Sequence, residues 1–343
     1  MIKKLYEKIK KYILENEKEL IFLLGFYVFM TYPLPYYILV SGGTIDVSDR
    51  VEIVGEYEQE GSFNLAYVNE LKGTFPTVML SYVMPSWTLY EQSDFGFDET
   101  EDTEDIDARD YLSLIESQQN SVKVAYEAAG KEFKINETKY YIYYIYDFVK
   151  EYSDLKVGDK IISYDGIKLE DVKLYKEYVN SKNVDDEIEI EYIRNNKVKK
   201  TKLKVYEEAS EKYTGIMVYT IYDYETEPEI KFTFTESEGG SSGGLTLALA
   251  IYNKLTKEDI TNGLKIVGTG TIETDGTVGA IGGVEYKLKG AVKDDADIFV
   301  VPSGSNYEEA MKIKKENDYD IKLIEATTFE ETLKSIKEYT KTK

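Results

Sequence analysis

The chain has 343 residues, 42 Lys plus Arg against 64 Asp plus Glu, and neither a His nor a Cys. Those two zeros exclude Ser-His-Asp and Cys-His mechanisms, disulfides, and zinc sites built on His or Cys. A hydrolase of this composition would draw its nucleophile from Ser, Thr or a carboxylate and its base from Lys, Asp, Glu, Tyr or a terminal amine. The formal charge of −22 argues against a nucleic-acid partner, whose phosphates need Lys and Arg to neutralise them.

Residues 1–19 carry Lys3, Lys4, Lys8, Lys10, Lys11 and Lys18, and residues 20–45 contain no charge. The apolar stretch at 20–40 is long enough to cross a ~30 Å hydrocarbon layer as a helix, with Pro33 and Pro35 at its far end. Lysines before it and Asp46, Asp49, Glu52, Glu56, Glu58 and Glu60 after it predict a single-pass cell-membrane protein. Its amino terminus would be cytoplasmic and residues 41–343 extracytoplasmic. A buried core helix, or a signal peptide processed near residues 41–43, remains the alternative.

Residues 41–120 form a juxtamembrane region. Within it the acidic run SDFGFDETEDTEDIDARD, at 93–110, predicts a solvated loop, with a calcium site as the weaker alternative. An amphipathic helix follows, with apolar residues at Leu112, Ile115, Val122, Ala125, Tyr126 and Ala129 and Gly130 as its stop. From Tyr140 the pattern becomes β. YYIYYIY leads to LKVGDKIISYDG, a helix near 171–181, and the strands EIEIEYIR and VKKTKLKV joined through Asn195 and Asn196.

Residues 230–302 concentrate the chemistry. IKFTFTESEGGSSGGLTLALAIYNKL reads as a strand, a glycine-rich turn and a helix with Leu245, Leu249, Tyr252 and Leu255 on its apolar face. A serine in that turn would sit at a helix amino terminus, where free N–H groups stabilise an oxyanion. A phosphate cradle is the competing reading, but a P-loop needs Lys after its second glycine, and Leu245 follows Gly244. A flexible linker is the bland one.

Two resemblances gather these segments. LKVGDKIISYDG resembles the strand-turn-strand of PDZ domains, which add an extended peptide as a strand beside a helix. That implies a substrate groove along Tyr141, Ile142 and Tyr143, on to Ile145, opposite Val172, Tyr175 and Val179. GGSSGGL, GTGTI and GGVEYK resemble the three motifs of the Lon-type Ser-Lys protease domain, in the family's order. The resemblance implies Ser242 as nucleophile, Lys287 as base and Thr269 as its hydrogen-bonding partner. Gly240, Ser241 and Gly243 would form the oxyanion turn. Ser241 and Gly243 stand where the family has Pro and Ala, and Gly239 where ATP-dependent relatives have Asp.

Nearly the whole chain looks like the membrane-anchored PDZ-Lon proteases of Gram-positive bacteria. The implied architecture is α+β and multi-domain: a cytoplasmic segment 1–19, a transmembrane helix 20–40, the region 41–120, a PDZ-like domain 121–207 and a Lon-like domain 208–343 with a ribosomal protein S5 domain 2-like fold. The implied activity is ATP-independent endopeptidase cleavage of exposed or secreted peptides or unfolded proteins, with no metal and no cofactor. Lon relatives assemble into rings, which leaves a homo-oligomer open. A catalytically weak or silent PDZ scaffold holding a partner at the cell surface is the alternative.

Overall fold

The computed structural model describes residues 2–84, 87–91, 103–235 and 238–343. They fall into two compact units, one of residues 1–42 and 68–99, the other of residues 43–67 and 100–343.

The first unit begins with helices α1 (Ile2–Glu15) and α2 (Glu17–Thr31). Strand β1 (Tyr36–Asp46) then starts in it, and β2 (Val51–Ile53) and the first half of β3 (Ser62–Lys72) belong to the second unit. Helix α3 (Phe75–Ser81), opened by a capping box between Thr74 and Thr77, and β4 (Trp87–Glu91) complete it.

The membrane helix expected at 20–40 does not form. The α2 helix has 15 residues, roughly 22 Å of rise, and stops at Thr31. Pro33 and Pro35 lack the N–H that would continue it and push the residues before them out of helical geometry. The N–H of Leu34 is instead donated to the Gly73 carbonyl, and residues 36–40 pair antiparallel with residues 87–91. Among the described residues no helix is long and apolar enough to cross a membrane. The transmembrane part of the expected fold class is therefore wrong, and a single-pass membrane location is not supported.

The second unit continues with α4 (Thr103–Ala128), β5 (Glu132–Ile145), α5 (Asp147–Lys150), β6 (Lys160–Tyr164), β7 (Ile167–Lys168), α6 (Val172–Asn180), β8 (Glu187–Arg194) and β9 (Lys197–Lys204). After them come β10 (Tyr206–Glu208), β11 (Glu211–Tyr213), β12 (Ile216–Glu227), β13 (Ile230–Phe232) and α7 (Gly244–Leu255). The chain closes with β14 (Lys265–Gly268), β15 (Thr271–Ile272), β16 (Val278–Gly279), α8 (Val284–Lys293), β17 (Ile298–Pro302), α9 (Ser305–Glu316), β18 (Lys322–Ala326) and α10 (Phe329–Thr340). Of the acidic run, residues 93–102 lie outside the described residues. From Thr103 onward it is helical, with Glu104 and Asp105 in the first turn of α4, where the helix dipole favours negative charge.

Two layers of this unit matter for function. In one sheet the order is β12-β5-β6-β8-β9, with β7 beside β6. Its tight turns follow the sequence: Asn195 and Asn196 both take positive φ between β8 and β9, as do Asp165 and Gly166 between β6 and β7. In the other, β3, β14, β17 and β18 run parallel as neighbours in that order. All five residues of β17 are buried, which is the signature of a parallel strand covered on both faces. Ile298 and Val300 join the core with Leu245, Leu249 and Ile251 of α7, while Phe299 and Val301 join Val284 and Leu288 of α8 and Ala310 of α9.

Candidate active site

The glycine-rich turn leads into α7, so Ser242 lies two residues before the first helical residue. Its carbonyl is doubly held: it accepts from the Gly270 N–H at 2.7 Å and from the Thr269 hydroxyl at 3.1 Å. The Leu245 N–H returns to the Gly270 carbonyl at 3.0 Å. Helix start and the segment after β14 are thereby tied together on both sides of the serine.

The glycines answer to close neighbours. At Gly240, φ is +86°, a left-handed conformation that favours glycine. A Cβ on Gly244 would fall 2.8 Å from Ser117 Oγ and from Ile272 Cγ2. On Gly243 it would fall 2.9 Å from Leu65 Cδ2, so in this chain Leu65 fills the space an alanine methyl would take. That gives a packing reason for the departure from the Lon pattern at this position.

Lys287 lies in the second turn of α8, which starts after Gly283 in left-handed geometry. Its residue is only 4% exposed, and Val284 and Leu288 beside it are fully buried in the cluster that contains Val267 of β14. Thr269, two residues after Val267, is also fully buried. Ser242 and Thr269 thus meet just past β14, and Lys287 sits on a helix whose Val284 and Leu288 share a buried cluster with Val267 of β14. By contrast, Lys289 pairs with Glu285 one turn away and is part-exposed.

Sequence reasoning gave α4 no role in the site, yet four of its side chains make bonds to other elements, three of them to the serine turn and the segment after β14. Ser117 Oγ donates to the Ser241 carbonyl at 3.2 Å, Asn120 Nδ2 donates to the Ile272 carbonyl at 3.0 Å, and the single Ser121 hydroxyl hydrogen is shared between the Gly244 carbonyl at 2.8 Å and the Ser117 carbonyl of its own helix at 2.6 Å. The fourth, Gln119, reaches the other sheet, where its amide bonds both the Thr220 carbonyl (2.9 Å) and the Tyr222 N–H (2.8 Å) of β12. Farther up the helix, the Asp110 carbonyl accepts from the Gly240 N–H at 3.0 Å. The available signal was the polar run SQQNS interrupting an otherwise apolar helix face.

The residues expected to line a peptide groove are already flanked. Tyr141 pairs with Tyr219 of β12 on one side and Lys160 of β6 on the other. Ile142 pairs with Val218, donates its N–H to the Asp159 carbonyl and accepts from the Gly158 N–H. The Tyr143 ring stacks on Tyr219 with centroids 3.7 Å apart. At the edge of this sheet stands β12. Thr214, just before that strand, shares a buried hydroxyl contact of 2.8 Å with Tyr175 of α6.

Residues 129–205 match the PDZ domain family model, and residues 235–338 match that of the Lon protease (S16) C-terminal proteolytic domain. No curated protein matches the chain. Among solved structures, the PDZ domain of the SdrC-like protein from Listeria monocytogenes is similar at 24% identity, over 25% of this chain and 92% of that one, with a TM-score of 0.23. A protease with a PDZ domain takes peptides or proteins as substrates. The chain carries a PDZ domain followed by the proteolytic domain of a Lon-type serine peptidase.

Proposed function

We propose that the chain is an ATP-independent endopeptidase in which Ser242 and Lys287 form the catalytic dyad and the sheet edge at β12 holds the substrate. The reading is supported by a serine at the start of α7 tied to Thr269 just past β14, and by a buried lysine on α8, a helix that shares an apolar cluster with Val267 of β14. Lys287 is 4% exposed on a helix whose Val284 and Leu288 are fully buried, and burial disfavours an ammonium relative to the neutral amine. Neutral Lys287 takes the proton from Ser242 Oγ as that oxygen attacks the peptide carbonyl. The tetrahedral oxyanion is held by N–H groups of residues 241–243, assisted by the positive end of α7. Lys287 then returns its proton to the departing amine, and water cleaves the acyl-enzyme by the same relay. Thr269 keeps the Ser242 backbone in register through its bond to that carbonyl.

Substrate recognition by strand addition suits β12 better than β5, because both sides of β5 at Tyr141 and Ile142 are paired. No Walker motif stands in these 343 residues, which favours flexible or already unfolded chains as substrates. Cleavage of reduced, unfolded casein by the full chain tests the reading. Ser242→Ala and Lys287→Ala should each abolish cleavage and Ser241→Ala should retain it. Equal cleavage by all four proteins would sink the dyad, and casein bound without cleavage by the parent would favour a silent scaffold.

A further inference from the structure

We infer that Gln119 ends the peptide track on β12, and that α4 passes occupancy of that track to the turn bearing Ser242. The inference rests on the strand-addition reading above and adds residues that reading does not use.

The geometry at Gln119 carries the first half. In an antiparallel sheet an edge residue pairs with a neighbouring strand through backbone groups, a carbonyl accepting and an N–H donating. Gln119 supplies the same pair from one side chain: Nε2 donates to the Thr220 carbonyl and Oε1 accepts from the Tyr222 N–H. The side chain is 3% exposed, so the amide is a fixed part of the sheet edge. A peptide strand extending along β12 from Ile216 would find its hydrogen-bonding positions taken from Thr220 onward. The apolar contacts agree, since Leu112 of α4 packs with Val157 and Ile221, and Ile115, Tyr141 and Tyr219 border that cluster.

The second half follows from what the neighbouring positions of α4 touch. Ser117, two residues before Gln119, donates to the Ser241 carbonyl, and Ser121, two after it, shares its hydroxyl hydrogen between the Gly244 carbonyl and the Ser117 carbonyl, so the two serines touch both sides of the Ser242–Gly243 peptide. Asn120 fixes Ile272, which leads from the Thr269 segment. Since a packed helix moves as a unit, a displacement at Gln119 reaches the serine turn through two side-chain bonds rather than through the chain. Ser117, Gln119 and Ser121 are therefore positioning residues for the peptidase reaction.

Hydrogen exchange on the full chain carrying Ser242→Ala, with unfolded casein as the probe, separates these statements. Casein should slow exchange at least fivefold at residues 216–218, and add nothing at Tyr222, which Gln119 already protects. Gln119→Ala should speed Tyr222 exchange without casein and extend casein protection to residues 220–222. In the parent, casein should also slow exchange at Gly244, Leu245 and Leu247. That response should vanish in Ser117→Ala/Ser121→Ala and return in Ser117→Thr/Ser121→Thr, which restores both hydroxyls. An unchanged protected span in Gln119→Ala overturns the track end, and a turn response that survives loss of both hydroxyls overturns the coupling. Casein leaving residues 216–218 unprotected overturns the inference altogether. Casein cleavage by the chain with Ser242 intact would in that case still stand as evidence for the peptidase reading, which keeps the two failures apart.

Discussion

Ser242 and Lys287, the proposed dyad, are held by opposite means. Ser242 stands in a turn pinned by polar bonds: its own carbonyl accepts twice, and α4 grips the carbonyls of Ser241 and Gly244. Lys287 stands on a helix pinned by apolar packing, with Val284 and Leu288 at zero exposure beside it. The difference matches what each group would need in the proposed dyad. A nucleophile at a helix amino terminus must have its atom and its oxyanion donors fixed to fractions of an ångström, which directional bonds accomplish. A lysine base must lose its preference for the charged form, which apolar surroundings accomplish.

The comparison breaks most severely if the lysine is replaced by a side chain that packs equally well. Lys287→Met keeps the buried methylene stem and removes the amine, so under the proposed dyad peptidase activity should fall by about 10³-fold or more while the protein stays folded. A fall in activity matched by loss of folding would mean that the lysine serves the core. Val284→Thr probes the same surroundings more gently by placing a hydroxyl one turn from Lys287. It should move the acid limb of the pH–rate profile up by about 0.5–1 unit, leaving several-fold less activity at neutral pH. An unmoved profile would show that the packing around Lys287 does not set its protonation.

These two means of fixation also decide what could be read from the sequence. The β-turns at Asp165–Gly166 and Asn195–Asn196 and the alternation of strand, turn and helix around Ser242 are local patterns, and local patterns are legible. The segment at 20–40 was misread because composition alone favours a spanning helix there. What overrides it is Pro33, Pro35 and a strand partner some fifty residues away at Trp87–Glu91. Helix α4 was legible as an amphipathic helix but not as the clamp of the site, because Ser117 and Gln119 acquire their meaning only from carbonyls and an N–H more than a hundred positions down the chain. Nor could the sequence say that Gly243 answers to Leu65, 178 positions earlier.

That last contact gives a smaller test on the serine side. Gly243 has φ −92°, which alanine adopts freely, so Gly243→Ala gains backbone entropy of about 0.4–1 kcal/mol but must displace Leu65. Overpacking at a site this tight costs about 1–3 kcal/mol, and the net should be a modest destabilisation with a several-fold fall in turnover. Adding Leu65→Val should recover most of both losses. A double variant no better than the sum of its parts would show that Leu65 is not the reason for the glycine.

The smallest effect lies between the two sheets, at Glu116 of α4. Burial pushes its carboxyl up to about 7 from the ordinary 4.5, with the negative charge of Glu273 adding to the rise, and it in turn acts on the Tyr219 hydroxyl of β12. The folded chain thus holds this proton more tightly than the unfolded one, so stability is lost as pH climbs from about 4.5 through 7 and the full penalty stands above that. Below 4.5 both states are protonated and Glu116 contributes no difference. Glu116→Gln removes the ionisation while keeping the shape, and should stabilise the protein by about 1–2 kcal/mol at pH 8, after discounting for the side chain's partial exposure, and by almost nothing near pH 4.5. Thermal unfolding of both proteins at the two pH values reads this directly. An equal shift at both would mean that packing, not the charge, is what Glu116 brings to α4, and the polar grip on the serine turn would then be independent of pH across this range.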